Sequence, residues 1–326
     1  IIFVRQILTM SNMAIPDMVF LDTGTLGNTS FKPLEEIGTL RIFKNTSFQE
    51  RIQNIGNSPI VITNKVNIDK EVMDGCPNLR LICITATGIN NIDTIYAMQK
   101  GIQVKNVAGY STYSVAQATF AMLFKLIHQL DFYDNHVKSL EYSRSPFFTN
   151  LEKGFFELKD KIHGIIGMGE IGRQVAKIAE AFGANVIYYS TSGKNLKQDY
   201  PRVGLDELLS KSDIVSIHAP FNEQTYNLVP MDKLKLMKQS AILVNVGRGG
   251  IVNEADLATA IDGGMIGGAC IDVFENEPIE EENPLMQLSC KDKVVYTPHN
   301  AWGSAEARKS LIQKTANNIR EFLNSI

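Results

Sequence analysis

The chain contains few of the residues that mark disulfide-rich or metal-binding proteins. Its 326 residues include only four cysteines and five histidines. Cys76, Cys83, Cys270 and Cys290 form no CxxC pair and have no neighbouring histidine at metal-ligand spacing. We therefore expect neither a disulfide framework nor a metal site, and a reducing cytoplasm fits this cysteine usage best.

The sequence also lacks long apolar runs and a strong charge of either sign. Its apolar stretches, such as Ala241 to Val246, are much shorter than the ~20 residues that a membrane-spanning helix needs. The formal net charge is -3 at pH 7, so composition does not indicate a nucleic-acid partner. Neither a solenoid-length repeat nor a low-complexity tract occurs. At this length an ordinary globular chain is expected to form two domains.

The first residues do not fit the pattern of a secretory signal. Arg5 and Gln6 interrupt the apolar start, and no clear small-residue cleavage site follows. The first convincing strand begins at Met18. Residues 1–17 are interpreted as a possible extension or tag and are left out of the domain predictions.

From Met18 onward, short apolar runs alternate with helical patterns, and the alternation resumes after residue 160. This rhythm is typical of βαβ units and a parallel sheet. Between the two series, the apolar spacing predicts one long buried connecting helix from about Tyr113 to Lys138. The segment from Ser304 to Leu323 predicts a final helix.

A glycine-rich loop follows the apolar run IHGII and precedes a predicted helix from Ile171 to Phe182. Its sequence is GMGEIG, with Gly167, Gly169 and Gly172 at the spacing of the dinucleotide fingerprint. Such glycines permit a tight turn, a close approach of the backbone to a pyrophosphate, and close packing of helix on strand. The helix N-terminus then binds the phosphates. The pattern predicts a nucleotide site but does not yet indicate a reaction.

The next strand ends without the acidic residue that usually binds the ribose hydroxyls of NAD. Ser190, Thr191 and Ser192 stand there, followed by Gly193 and Lys194. Without a carboxylate, a 2′-phosphate is not repelled, and the hydroxyls with Lys194 could bind one. The cofactor is therefore predicted to be NAD or NADP, with tolerance of NADP. The alternative is that Lys194 is a solvated loop lysine.

Three later motifs place polar residues at separate predicted strand ends. Arg248, in NVGRGG, could hold a carboxylate with two hydrogen bonds, although a surface salt bridge is the simpler alternative. The segment GACIDVFENEP ends an apolar strand in acids, and VVYTPHNAW places His299 after another strand. Histidine is the side chain best suited to proton transfer near neutral pH. The remaining histidines are interpreted as structural or cofactor-adjacent.

The order and spacing of GMGEIG, NVGRGG, DVFENEP and TPHNAW resemble those of the D-isomer-specific 2-hydroxyacid dehydrogenases. The resemblance implies that Arg248 binds the substrate carboxylate and carbonyl, and that Glu277 pairs with His299, the acid and base. The segment CITATGINNID resembles the substrate loop of the family. It implies that Ala86, Thr87 and Gly88 offer backbone N–H groups to the carboxylate.

The same resemblance implies an α/β fold of two doubly wound parallel-sheet domains. A Rossmann dinucleotide-binding domain, residues 112–301, would be inserted in a discontinuous, flavodoxin-like substrate domain made of residues 18–111 and 302–326. The implied cofactor contacts are Val115, Gly167, Met168, Gly169, Glu170, Ile171, Gly172, Ser190, Thr191, Ser192, His218, Ala219, Pro220, Thr225, Val246, Gly247, Arg248, Asp272, His299 and Ala301.

Members of the family are commonly homodimers that pair through the long helix and the arm after it, here about Tyr113 to Thr149. Aromatic residues are frequent in and just beyond this segment, at Phe132, Tyr133, Phe147, Phe148, Phe155 and Phe156.

Trp302 and the GYS stretch at 109–111 resemble hydroxypyruvate and glyoxylate reductases, which are also called glycerate dehydrogenases. Small 2-keto acids are therefore the expected substrates, with Trp302 near them. A packed aromatic without selectivity is an equal alternative for Trp302. D-lactate-type or bulkier D-hydroxyacid activity remains open, as does a non-enzymatic corepressor that senses NAD(H).

Overall fold

The β-strands are short runs rich in Val, Ile and Leu. Five of the eleven in the described part of the chain are buried along their whole length, which is the pattern of strands covered on both faces of a parallel sheet. The computed structural model describes residues 17–195 and 198–325. In it the chain divides into two units. The first contains the described residues up to Ser111 and those from Gly303 onward, and the second runs from Thr112 to Trp302.

The first unit is an α/β unit with one parallel sheet in the order β2-β1-β3-β4-β5. This is the flavodoxin-like order. Its strands are β1 Asp17–Phe20, β2 Thr39–Ile42, β3 Ile60–Thr63, β4 Leu81–Ile84 and β5 Gln103–Lys105. The helices between them are α1 Lys32–Glu35, α2 Arg51–Ile55, α3 Lys70–Gly75 and α4 Thr94–Gln99, with a 3-10 turn at Thr23–Leu26.

The second unit contains a six-stranded parallel sheet. Its strands are β6 Ile162–Ile166, β7 Asn185–Tyr189, β8 Ile214–Ile217, β9 Ile242–Asn245, β10 Gly268–Ile271 and β11 Val294–Tyr296. Its helices are α5 Thr112–Ile127, α6 Leu130–Lys138, α7 Glu141–Arg144, α8 Glu170–Ala181, α9 Leu205–Lys211, α10 Met231–Leu234 and α11 Glu254–Asp262, and 3-10 turns lie at Pro284–Gln287 and Lys291–Lys293.

The strand order of this sheet is β11-β10-β9-β8-β6-β7. On the free edge of β7, an isolated parallel bridge joins Tyr188 of this strand to Arg202. If this bridge is counted as a rudimentary strand, the unit starts with the order 3-2-1-4 of the Rossmann fold. The direction of winding reverses between β6 and β8, so a ligand is expected beyond the carboxyl ends of these two strands. The predicted class of two doubly wound parallel-sheet units is confirmed.

Two hydrophobic clusters cover the two faces of the second sheet. One cluster joins α5 and α8 to alternate residues of β7, among them Val186 and Tyr188. The other joins α9 and α11 to the opposite face, on which Ile187 and Tyr189 pack. The period-two alternation of the strand thus decides which helix each side chain meets.

The final helix, α12, extends from Ala305 to Leu323 and confirms the prediction for this segment. Ser304 caps it, because its hydroxyl accepts a hydrogen bond from the Ala307 N–H at 3.1 Å. The apolar positions expected to face inward, such as Leu311 and Ile319, are fully buried.

The prediction of one long helix from Tyr113 to Lys138 was wrong. Helix α5 ends at Ile127, Gln129 has a left-handed backbone with φ of 48°, and α6 begins at Leu130. Eight residues of α5 are buried, whereas no residue of α6 is. The hydrophobic period is continuous in sequence, but only the first half has a sheet to cover.

The structural boundaries differ slightly from those expected. The second unit ends after Trp302, whose ring packs against the cluster under α5 and α8. Asp17, set aside with the N-terminal segment, is the first residue of β1. The rest of the proposed extension, residues 1–16, lies outside the described residues, as does Ile326.

Candidate active site

The sequence motifs of the second unit follow the carboxyl ends of neighbouring parallel strands. Gly167 follows β6, His218 follows β8 and Arg248 lies three residues after β9. The acids of DVFENEP follow β10, and His299 lies three residues after β11. Because these strands are parallel and adjacent, all five segments lie at one edge of the sheet. This edge is where open α/β sheets bind their ligands.

The glycine loop has the geometry that a dinucleotide requires. Gly167 has φ of 95°, and a Cβ atom on it would lie 2.9 Å from the backbone N of Ala219. A Cβ on Gly172 would collide with the Gly167 carbonyl. At Gly169, by contrast, a Cβ would meet nothing within 4 Å. Two glycines therefore allow the turn and the packing, while the third leaves the backbone open to a ligand.

Helix α8 begins directly after this loop. Its N-cap residue is Gly169, and no side chain caps the first turn. The N–H groups of that turn, which a capping side chain would otherwise satisfy, are the usual partners of a phosphate. Glu170, Ile171 and Met168 complete the loop. The residues present thus fit the pyrophosphate of a nicotinamide dinucleotide.

His218 is half-buried and is linked through the buried Ser216 to the fully buried His163. The Ser216 hydroxyl lies 3.0 Å from Nε2 of His218 and 2.8 Å from Nε2 of His163. The Nδ1 atoms of both histidines are buried and have no hydrogen-bond partner among the described residues. Burial lowers the pKa of His163 to about 4, and burial together with nearby His163 lowers the pKa of His218 to about 3. Both imidazoles are therefore neutral at pH 7.

The Arg248 turn is fixed from both sides. The Asn245 side chain accepts from the Gly247 N–H at 3.1 Å and donates to the Arg248 carbonyl at 3.0 Å. A Cβ atom on Gly249 would collide with the Phe274 carbonyl, so the turn packs directly against the loop after β10. Nη1 of Arg248 donates to the Gly247 carbonyl at 2.8 Å. The guanidinium forms no ion pair with any described residue, which argues against the salt-bridge alternative.

His299 and Glu277 form a close pair. Nδ1 of His299 lies 2.7 Å from a carboxylate oxygen of Glu277, with 18% and 29% of the side chains exposed. The other carboxylate oxygen accepts from the Phe274 N–H at 3.1 Å, which holds Glu277 in position. Because a carboxylate accepts hydrogen bonds, Nδ1 carries the proton. Nε2 has no partner among the described residues and is the atom available to a substrate.

The backbone of His299 is unusual, with φ of 50°, and Asp272 stabilises the turn around it. The Asp272 carboxylate accepts from the Thr297 hydroxyl at 2.6 Å and from the N–H groups of Asn300 and Ala301. The pKa of Asp272 is raised, because the effect of burial is larger than the opposing effect of these hydrogen bonds. All of these partners belong to the turn that carries His299. Asp272, expected at the cofactor, thus also positions the catalytic candidate.

Several other expected cofactor residues are inside the protein. The side chains of Val115, Met168, Val246 and Ala301 are buried. Thr225 is fully buried, and its hydroxyl donates to the Pro220 carbonyl at 2.7 Å, which closes the turn after β8. These residues shape the edge of the sheet. Whether they also touch a cofactor stays a prediction.

Ser190, Thr191 and Ser192 follow the edge strand β7, as expected. Ser190 and Thr191 are half-buried, and Ser192 is exposed. Lys194 is exposed, and its side chain forms no ion pair within the described ranges. The backbone N–H of Lys194 donates to the Ser192 hydroxyl at 3.3 Å. The loop therefore presents hydroxyls and a lysine where a carboxylate is usual.

Ala86, Thr87 and Gly88 belong to the first unit and follow β4. The Thr87 hydroxyl donates to the Val107 carbonyl at 3.1 Å, and Asn106 donates to the Thr87 carbonyl at 2.6 Å. No hydrogen bond to a described residue uses the N–H groups of positions 86–88. The loop is thus held through its side chains and carbonyls, and its amides are available to an anion.

Sequence reasoning missed the residues that hold the site in shape. Asn245 and Thr297 orient the Arg248 and His299 turns, and Ser216 joins two histidines. Asn245 and Thr297 stand at the ends of apolar strands, which is the signal that could have identified these two, whereas Ser216 lies inside β8. His163 gave no such signal, because a histidine within a strand does not reveal which element it will face.

No helix in the described part of the chain is both long and apolar enough to span a membrane.

Residues 120–301 of the chain match the family model described as "D-isomer specific 2-hydroxyacid dehydrogenase, NAD binding domain".

Two curated relatives and one solved structure are similar over most of the chain. Hydroxypyruvate reductase from Blautia hydrogenotrophica is 36% identical over 91% of this chain and 93% of its own. Glyoxylate reductase from Korarchaeum cryptofilum is 36% identical over 78% of this chain and 76% of its own. The solved structure is an acyclic imino acid reductase (Bsp5) in complex with NADPH and D-Arg. It has a TM-score of 0.83 and 29% identity, covering 95% of this chain and 97% of its own.

Proposed function

Because the chain belongs to the D-isomer specific 2-hydroxyacid dehydrogenases, we propose that it reduces hydroxypyruvate and glyoxylate to D-glycerate and glycolate with NADH or NADPH. The observation that carries the proposal is the 2.7 Å contact between His299 and Glu277, at the same sheet edge as the glycine loop. The two curated relatives described above, named for these two keto acids, support the substrate class.

His299 is proposed as the general acid. The bound reduced nicotinamide supplies a hydride to the carbonyl carbon of the keto acid. The C=O bond becomes a C–O single bond, and Nε2 of His299 gives its proton to the developing alkoxide. Glu277 keeps the imidazole oriented through its contact with Nδ1. In the oxidative direction, Nε2 accepts the proton from the hydroxyl.

Arg248 is proposed to bind the substrate carboxylate and to stabilise the negative charge that develops on the carbonyl oxygen. This role is supported by its guanidinium, which forms a single hydrogen bond to a described residue and no ion pair. The N–H groups at Ala86, Thr87 and Gly88 are proposed as further donors to the carboxylate. Trp302 is proposed to limit substrate size.

The choice between NAD and NADP also belongs to the proposal. Ser190 replaces the usual carboxylate, and no acid stands between Tyr189 and Lys194. A 2′-phosphate would therefore meet hydroxyls and Lys194 instead of a repelling charge. We expect the protein to accept NADPH as well as NADH.

A second copy of this chain is the proposed partner. Phe147 and Phe148, in the arm after α7, are 71% and 89% exposed. The arm itself is tied down, because the Tyr142 hydroxyl donates to the Phe148 carbonyl at 2.7 Å and the Tyr133 hydroxyl donates to the Lys153 carbonyl at 2.6 Å. A fixed backbone that presents aromatic rings to solvent is typical of a protein interface.

Light scattering after size exclusion tests the dimer. The wild type should have the mass of two chains, and Phe147→Ser with Phe148→Ser should have the mass of one or dissociate on dilution. Replacing the exposed Phe48 of the first unit by serine is a matched control that should leave the mass unchanged. A monomeric wild type would contradict the proposal.

A reducing cytoplasm is the proposed compartment, because all four cysteines are free thiols and three of them are buried. Burial raises the pKa of Cys83 to about 12, which keeps that thiol protonated and unreactive. A thiol titration of the unfolded chain, purified without reductant, should count four thiols.

The activity is tested with a panel of hydroxypyruvate, glyoxylate, pyruvate and a bulky 2-keto acid, each with NADH and NADPH. The first two should be reduced fastest, and the product should be the D-isomer where the carbon is chiral. Pyruvate as the best substrate would favour a D-lactate-type enzyme. No turnover with any keto acid, together with binding of the dinucleotide, would favour the corepressor alternative.

A further inference from the structure

We propose that Arg202 determines the affinity for NADPH by pairing with the 2′-phosphate beside Ser190. The inference rests on the proposed function, since it assumes that the glycine loop binds a nicotinamide dinucleotide. Arg202 lies 12 residues after Ser190 in the sequence and outside the motifs of the nucleotide site.

Tertiary structure brings Arg202 to the end of β7. The chain leaves β7, turns, and returns so that Tyr188 and Arg202 pair in parallel. The Tyr188 N–H donates to the Pro201 carbonyl at 3.0 Å, and the Val203 N–H donates to the Tyr188 carbonyl at 2.9 Å. From strand geometry, the Cα atoms of Arg202 and Ser190 are about 8 Å apart, within reach of an arginine side chain.

The side chains of Arg202 and Ser190 lie on the same face of the sheet. Tyr188 packs in the cluster with α8, whereas Tyr189 packs on the opposite face of the sheet. Because side chains alternate along a strand, Ser190 lies on the face of the sheet that α8 covers, called here the α8 face. On the returning segment, Tyr200 packs with α8 and Val203 on the opposite face. Arg202 therefore shares the α8 face, whose helix N-terminus receives the phosphates.

The charges around this point favour an anion. Arg202 is exposed, and its guanidinium forms no hydrogen bond or ion pair with a described residue. On α8, Glu180 already accepts a hydrogen bond from the Tyr200 hydroxyl at 3.1 Å. Asp199 is the one acid on the returning segment between 198 and 203. Its single negative charge is smaller than the two positive charges of Lys194 and Arg202. A guanidinium binds phosphate with two parallel hydrogen bonds, which a lysine cannot do.

Equilibrium binding of NADPH and NADH, measured by fluorescence without keto acid, tests the inference, because the two ligands differ only in the 2′-phosphate. Arg202→Ala should lower the affinity for NADPH about 10-fold or more and should change the affinity for NADH less than about 2-fold. Arg202→Lys should recover part of the loss. Lys235→Ala, which removes an exposed charge elsewhere in the same unit, should change neither.

Two results would overturn the inference while the dinucleotide site stands: unchanged NADPH affinity in Arg202→Ala, or an equal loss for both nucleotides. A wild type that binds NADH but not NADPH would also overturn it alone. A wild type that binds neither nucleotide would instead refute the cofactor site of the proposed function, and this inference with it. Circular dichroism of each variant checks that the fold is retained.

Discussion

Replacing His163 by leucine should make the second unit less sensitive to acid. His163 is fully buried in β6, and its ring contacts the ring of Phe120 edge to face. Nε2 is bonded to the Ser216 hydroxyl, and Nδ1 has no partner among the described residues. The site provides no counter-charge for an imidazolium, so the folded protein disfavours protonation of this ring.

The expected magnitude follows from the pKa of His163, which burial lowers from 6.5 to about 4. The unfolded chain binds this proton below pH 6.5, whereas the folded chain does not. The contribution of His163 to stability is therefore complete above pH 6.5 and is lost as the pH falls toward 4. The loss is about 1.4 kcal/mol per pH unit, or about 2 kcal/mol at pH 5.

Urea unfolding between pH 7.5 and 5 measures this effect. Trp302, the single tryptophan, belongs to the second unit and reports on its unfolding. His163→Leu should lose about 2 kcal/mol less than the wild type between these two pH values. Ser216→Ala serves as the control, because it keeps both histidines. It should lower stability at pH 7.5 by about 1–2 kcal/mol and keep the steep acid dependence.

Equal pH dependence in the wild type and in His163→Leu would refute the reasoning. It would mean that His163 is protonated as easily in the folded protein as in the unfolded chain. A variant that is already unfolded at pH 7.5 without urea would be studied in a stabilising osmolyte, and the wild type would be measured under the same conditions.

Three further outcomes are expected at the candidate site. His299→Ala should lower kcat by roughly 10² or more while NADH binding is unchanged, whereas His128→Ala should keep full activity; an active His299 variant would contradict its assignment. Gly249→Ala should lower thermal stability and raise the KM for keto acid, because its Cβ collides with the Phe274 carbonyl; wild-type values for both would show that the turn can shift. Asp272→Ala should reduce kcat more than NADH affinity, because the His299 turn loses its hydrogen bonds; an equal loss of both would instead favour a direct cofactor role.

Much of the fold could be predicted from local patterns. The strands are continuous apolar runs, and their alternation with helical segments predicted two parallel-sheet units, as the structure has them. The glycine loop was identified because a turn with φ of 95° at Gly167 and a packed Gly172 restrict the residue type directly. Such local constraints leave a mark in the sequence.

The long connecting helix shows where the same reasoning fails. An apolar period from Tyr113 to Lys138 is compatible with one helix, and the chain instead breaks at Gln129. The reason is tertiary. Helix α5 covers the second sheet, while α6 has no buried side chain, so its apolar residues were not evidence of a continuous buried face.

By itself, the sequence determined the family, the class of fold and the residue types available for hydride and proton transfer, because these depend on local motifs and their order. The family resemblance also implied that Glu277 pairs with His299, and the two side chains are in contact in the structure. Only the tertiary structure tied Asp272 to the His299 turn and returned Arg202 to the end of β7. The physical reason is that parallel strands far apart in sequence end at one edge of a sheet, and their pairing is not written in any single segment.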